Sequence, residues 1–207
     1  MRKNGIVACL VAAVGLLAAP VMAQSGTLST ETPNNGSGGV FLDLTALSAP
    51  LMVTSFDVAY SGTVGTTVEV EVYVRTGSYV GFDGDPTGWT LTQTVSGTRQ
   101  GTTVLDPLVL TQGIMLNVGE VTGVYLHAIT SGGGIRYWTA TAQQEWSNSD
   151  LHLFSDVSRT GNIPFAGGRF TPRAFAGNIN YDIIPAPGAI ALLGLAGVCG
   201  VSRRRRA

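Results

Sequence analysis

An all-β fold, specifically an antiparallel β-sandwich of jelly-roll type, is what three features of this 207-residue sequence predict. Apolar and polar residues alternate with period two over many short stretches, as strands with one buried face require. Turn residues recur between those stretches: Ser61-Gly62, Gly81 to Gly88, Ser96-Gly97, Ser131 to Gly134 and Thr160-Gly161-Asn162. The composition, with 28 glycines and only 12% charged residues, is that of an exported β protein with few helix-favouring stretches.

Four segments follow in order. Residues 1–23 read as a secretory signal: Arg2 and Lys3 are the basic start, Ile6 to Ala19 the apolar run, and Val21-Met22-Ala23 the small-residue cleavage site, which places the cut between Ala23 and Gln24. Residues 24–39 are Ser, Thr, Asn and Gly with little apolar content and read as a flexible lead-in. Residues 40–183 are the sandwich domain.

Within the domain, Val40 to Leu44 and Met52 to Val58 are strand-like. The clearest pattern is Thr67 to Arg75, where Val68, Val70, Val72 and Val74 alternate with Glu69, Glu71, Tyr73 and Arg75. That spacing puts the valines in a core and the other four in water. Trp89 to Val95, Val104 to Leu110 (bent by Pro107), Val121 to Thr130, Leu151 to Val157 and Phe170 to Ile183 complete the set. No repeat of solenoid or propeller type stands out.

Residues 184–207 form a tail of different character. Pro185 and Pro187 fix φ and donate no N–H, giving an extended hinge. Ala189 to Ala196 is uniformly apolar helix material, and Arg203, Arg204, Arg205 and Arg206 form a basic end that stays on the cytoplasmic side of a bilayer. From Gly188 to Val201 the run is shorter than the roughly 20 residues of a spanning helix.

The hinge, apolar run and arginine cluster resemble the PEP-CTERM sorting signal of Gram-negative-type bacteria. Here Pro185-Ala186-Pro187-Gly188 stands where that family usually has Pro-Glu-Pro. The resemblance covers Pro185 to Ala207 and implies transient membrane association and processing by an exosortase-type transpeptidase, leaving a surface or matrix protein. Val53 to Val58, Val70 to Tyr73, Gly88-Trp89, Val124 to Leu126 and Phe170 to Ile179 are similar to lectin-like sandwich domains. That likeness implies fold and no particular activity.

Charge narrows the partners. The ends hold half the basic residues, so the body has six arginines against thirteen acids, a net charge of −7 that argues against nucleic-acid binding. Both cysteines, Cys9 and Cys199, lie outside the body, which removes disulfides, thiolate zinc sites and a cysteine nucleophile from it.

Chemistry-bearing residues are sparse. Glu69 and Glu71 share a strand face but read as solvated charges, and His127 and His152 have no metal-spaced partners. No Gly-x-Ser-x-Gly elbow nominates a nucleophile. Asp83-Gly84-Asp85-Pro86 reads as a turn rather than a calcium loop, and Arg136 and Arg173 as ion-pair formers. No catalytic residue, cofactor or metal is therefore expected.

Tyr137, Trp138 and Trp146, flanking a polar stretch with Gln143, Gln144 and Asn148, are the candidate glycan platform, since ring faces stack on sugars; the competing reading is that they cap the sandwich. A non-catalytic surface or matrix protein is the leading expectation. A carbohydrate-binding module comes next, and a small hydrolase last.

Overall fold

The valine ladder lies one strand in from the edge of the larger of two antiparallel sheets that enclose the core. The computed structural model describes residues 24–36, 38–139 and 143–185. In chain order its strands are β1 (Gln24–Ser29), β2 (Asn35–Gly36), β3 (Gly39–Ala46), β4 (Leu51–Val58) and β5 (Thr67–Thr76). Then come β6 (Thr90–Thr98), β7 (Asp106–Leu116), β8 (Val121–Ala128), β9 (Arg136–Trp138) and β10 (Glu145–Ser147). The last are β11 (Leu151–Phe154), β12 (Ser158–Arg159), β13 (Arg169–Phe170), β14 (Ala174–Phe175) and β15 (Gly177–Ile183).

The smaller sheet runs β1-β15-β4-β7 and the larger β10-β11-β3-β8-β5-β6, with β12 and β13 attached beside β3. A short third sheet, β14-β9-β2, shares no ladder with these two but packs Tyr137, Ala174 and Phe175 into the same core. Between the main sheets, Val68, Val70 and Val72 of β5 and Val124, Leu126 and Ala128 of β8 meet Phe56 of β4, Leu108 and Ile114 of β7, and Ile179 and Tyr181 of β15. Removing that apolar surface from water, at about 25 cal/mol per Å², is what holds a disulfide-free body together. Among the described residues no helix is long and apolar enough to cross a membrane.

The all-β, sandwich-like architecture agrees with the sequence expectation; β9 and β10 fall outside the expected strand set, and three further segments depart from their expected form. Gln24–Ser29 is no flexible lead-in: it is edge strand β1, in register with β15 over six residue pairs. Its polarity misled because only Leu28 points into the core, while Ser25 and Thr27 bond Asp182 and Asn180 on the solvated face. Phe170 to Ile183 is three strands, not one, since Pro172 supplies no N–H to a ladder. β7 runs on past Leu110 to Leu116.

One side chain bridges the open border between β6 and β7. The Gln93 amide oxygen accepts from Thr111 N at 2.7 Å, Thr111 Oγ1 at 2.7 Å and Gln112 N at 3.1 Å, while its Nε2 donates to Gln112 O at 2.7 Å. Gln93→Ala strips β7 of these partners but leaves them near water, so urea denaturation should show a loss of about 1–2 kcal/mol. The signal segment, residues 1–23, and the tail from Ala186 onward, with Pro187, Gly188 and Arg203 to Arg206, lie outside the described residues.

Candidate functional site on the outer face of the large sheet

The two outer faces differ in kind. That of the smaller sheet is a self-bonded polar array: Asn178 and Asn180 donate to Asp57 at 2.9 and 3.1 Å, and Asn180 also to Ser55 at 3.0 Å. The larger sheet instead carries a second apolar cluster of Phe41, Tyr79, Tyr125, Val157 and Phe165, with Tyr73, Trp89 and Phe154 packed against it.

Strand register lays this face out in three rungs. Gly39, His127 and Glu71 form the first, Phe41, Tyr125 and Tyr73 the second, and Asp43, Gly123 and Arg75 the third. An aromatic rung thus lies between two polar ones. Phe41 and Tyr125 are stacked, centroids 3.8 Å apart with 3° between planes, and Tyr73 lies 6.0 Å beyond Tyr125. Gly39 is required here: a β-carbon at that position would lie 2.6 Å from His127 Nδ1 and 2.8 Å from Tyr125 Cε2.

The polar rungs are closely held. Asp43 accepts from the Ser78 hydroxyl and, at 2.8 Å, from Tyr79 N. Burial nonetheless raises its pKa above the usual carboxylate value, against the pull of those bonds and of Arg75. The Arg75 guanidinium stacks 3.5 Å above the Phe82 ring. Tyr73 donates to Glu71 at 2.6 Å, and burial followed by that carboxylate pushes its hydroxyl pKa up. Tyr125 Oη and His127 Nδ1 are 2.6 Å apart. His127 is fully buried, its Nε2 has no partner among the described residues, and burial lowers its pKa to about 4. It is neutral at pH 7.

Two loops wall the face. Asp83, in the loop between β5 and β6, accepts from Arg169 Nε at 2.6 Å and lies 3.6 Å from Arg159 Nη2, while its carbonyl accepts from Arg159 Nε. Phe165, between β12 and β13, lies over the aromatic rung, 5.0 Å from both Tyr73 and Tyr125 and 5.7 Å from Trp89.

Sequence-nominated residues land as follows. Tyr137 and Trp146 are buried in the main core, with Trp138 packed against it. Trp138 and Trp146 meet edge-on at 74°, which corrects the glycan platform: these rings fill the sandwich and present no flat exposed pair. Tyr73 and Arg75, expected in water with the two glutamates, are instead half-buried in the outer-face cluster, and only Glu69 stays fully exposed. His152 lies 3.9 Å from Glu145. Asp85 accepts from Thr87 N at 2.9 Å within its turn while Asp83 serves the arginines, so the two carboxylates do not converge. Arg136 and Arg173 bond backbone carbonyls of Thr102 and Pro172 rather than carboxylates.

Phe41, Asp43, Tyr125, Arg159, Phe165 and Arg169 were not singled out from the sequence. A signal was present: Val40-Phe41-Leu42 and Val124-Tyr125-Leu126 are apolar on both faces, as in strands covered from both sides. Among the described residues no three His, Cys, Asp or Glu side chains group as a metal site. No protein-family model and no curated protein sequence matches this chain.

Proposed function

We propose that this chain is an exported, non-catalytic surface or matrix protein: a jelly-roll body delivered by a cleaved signal and sorted through a PEP-CTERM-type tail by an exosortase-type enzyme, with transient contact to the membrane. The observation that carries this reading is the pairing of Gln24 with Ile183. Gln24 is the first residue after the expected signal cleavage, and Ile183 ends the last strand just before Ile184-Pro185. The attachment points of the two membrane-seeking segments are therefore neighbours, so one bilayer can hold both while the body folds outside it.

Strand pairing supports the jelly roll. β1 pairs with β15, β3 with β8, β4 with β7 and β5 with β6, so among these eight strands first meets last and second meets next-to-last in one folded-over ribbon. Rolling such a ribbon gives the orders β1-β15-β4-β7 and β3-β8-β5-β6 in two facing sheets. A non-catalytic role is supported by His127, which reaches the Tyr125 hydroxyl but hydrogen-bonds no carboxylate among the described residues, and is shut away from water.

Mass spectrometry of the mature protein, with cell fractionation, tests the proposal. Expected are an N-terminus at Gln24, a C-terminus at or before Gly188, and recovery from the surface or medium. Cytoplasmic protein still carrying Met1 and Arg203 to Arg206 would overturn it. An intact tail in the membrane fraction would replace sorting by permanent anchoring.

A further inference from the structure

At β2 the packing of the sheet and the chemistry of the peptide pull against each other. Asn35–Gly36 is the outer strand of the short sheet, and among residues 24–185 Asn35 is the sole asparagine followed by glycine. Only glycine fits at the second position. A β-carbon there would lie 2.4 Å from Arg136 Cα and 2.7 Å from the Ile135 carbonyl oxygen. The same lack of a side chain leaves the Gly36 nitrogen unshielded. Arg136, directly opposite Gly36, donates its N–H to Ala59 O, away from β2. In an antiparallel ladder Gly36 then also turns its N–H away from the partner strand, and that N–H donates to Asn35 Oδ1 at 2.8 Å. Asn35 is exposed to water.

We propose that Asn35–Gly36 is a self-modifying site, at which the folded chain converts Asn35 to aspartyl and isoaspartyl residues without an enzyme. The reacting groups are already together. Once Gly36 N gives up its proton, the freed electron pair lies along the former N–H···Oδ1 direction, against the Asn35 carboxamide. A bond from that nitrogen to Asn35 Cγ closes a succinimide ring. The Cγ–Nδ2 bond breaks, and Nδ2 takes up a proton in place of the one Gly36 released and leaves as ammonia. Water then opens the ring. Breaking the Gly36 N–Cγ bond gives aspartate; breaking the bond from Gly36 N to the Asn35 carbonyl carbon gives isoaspartate. Either product carries a new carboxylate and loses the bond from Asn35 Nδ2 to Thr139 Oγ1, now 3.3 Å. Isoaspartate also lengthens the main chain by an atom, which throws the Asn35–Tyr137 and Gly36–Arg136 pairs out of register. β2 gives no side chain to either core cluster, so the body stays folded while this strand lifts from β9. The site stands apart from export and tail processing; either inference can fail without the other.

Peptide mapping by mass spectrometry tests it, on the full-length folded chain aged in mildly alkaline buffer. The peptide holding Asn35 should gain about 1 Da and separate into aspartyl and isoaspartyl forms, at least about tenfold faster than Asn34 converts. Asn34 is the internal control: it is exposed too, but its Oδ1 accepts from Thr139 N at 2.7 Å and a bulkier residue follows it. Asn35→Gln, whose longer side chain must close a larger ring, should slow conversion at this position by at least about tenfold with circular dichroism unchanged. A folded chain that converts Asn35 no faster than Asn34 overturns the proposal. So does one that keeps Asn35 intact while the urea-unfolded chain converts it, because the strand then shields the bond. If Asn35→Gln does not fold, the ratio of Asn35 to Asn34 conversion in wild type decides.

Discussion

Replacing Asp83 with alanine is expected to cost about 3–5 kcal/mol of folding stability, read as a fall in the urea midpoint at constant slope. The carboxylate is 12% exposed and serves two guanidiniums, Arg169 at 2.6 Å and Arg159 at 3.6 Å. They do not suffer equally. Arg169 is 45% exposed and can turn to water, whereas Arg159, 15% exposed, is left charged and unpaired next to the aromatic cluster.

Most of the penalty is therefore stranded charge, not a lost bond, and Asp83→Ala combined with Arg159→Met should recover most of it. A double variant as unstable as the sum of its parts would show instead that Asp83 acts by fixing its loop through packing. The Asp83 loop also carries Phe82 and leads to Trp89, whose indole N–H donates to Phe82 O at 3.0 Å. Trp89 fluorescence should accordingly report the loosening before global unfolding does.

The same region shows where sequence reasoning reaches its limit. Alternation along β5 places Val68, Val70 and Val72 in the core without reference to any other strand, because a period of two is a local property. What lies over the opposite face is not local. Tyr73 and Arg75 were assigned to water by that same alternation, yet they are covered by loops about 10 and 90 residues downstream in the chain, a closure no single-strand pattern encodes.

Polarity failed in the reverse sense at β1. Ser25, Thr27 and Ser29 match a linker in composition, and only the partners Asp182, Asn180 and Asn178 on β15 make them a strand. The aromatic trio Tyr137, Trp138 and Trp146 went the way of most large rings, into the core. The candidate site was legible only in outline, through strands apolar on both faces. Phe165 belongs to no periodic stretch, and its place over Tyr125 is set by the loop that β12 and β13 hold.

Lowering the pH should expose His127 as a second large contributor to stability. Its pKa in the folded chain is about 4, against 6.5 when unfolded, because burial disfavours the cation. The unfolded chain thus binds more protons between those values, so stability rises with pH across that window and is lost as pH falls through it. A separation of this size corresponds to about 3 kcal/mol, present in full above pH 6.5 and gone at about pH 4.

Asp43 acts in the opposite direction. Its raised pKa lets the folded form hold a proton that the unfolded form has released, so its contribution falls as pH rises through the acidic range. The observable is consequently the difference between wild type and His127→Gln in urea denaturation at each pH, which removes the Asp43 contribution common to both. Glutamine keeps a polar group near the Tyr125 hydroxyl while abolishing the titration. Wild type should lose about 3 kcal/mol relative to the variant between pH 6.5 and 4. Parallel curves would mean that water reaches His127 Nε2 in the folded protein, so that the buried ring is hydrated and the cation is not disfavoured.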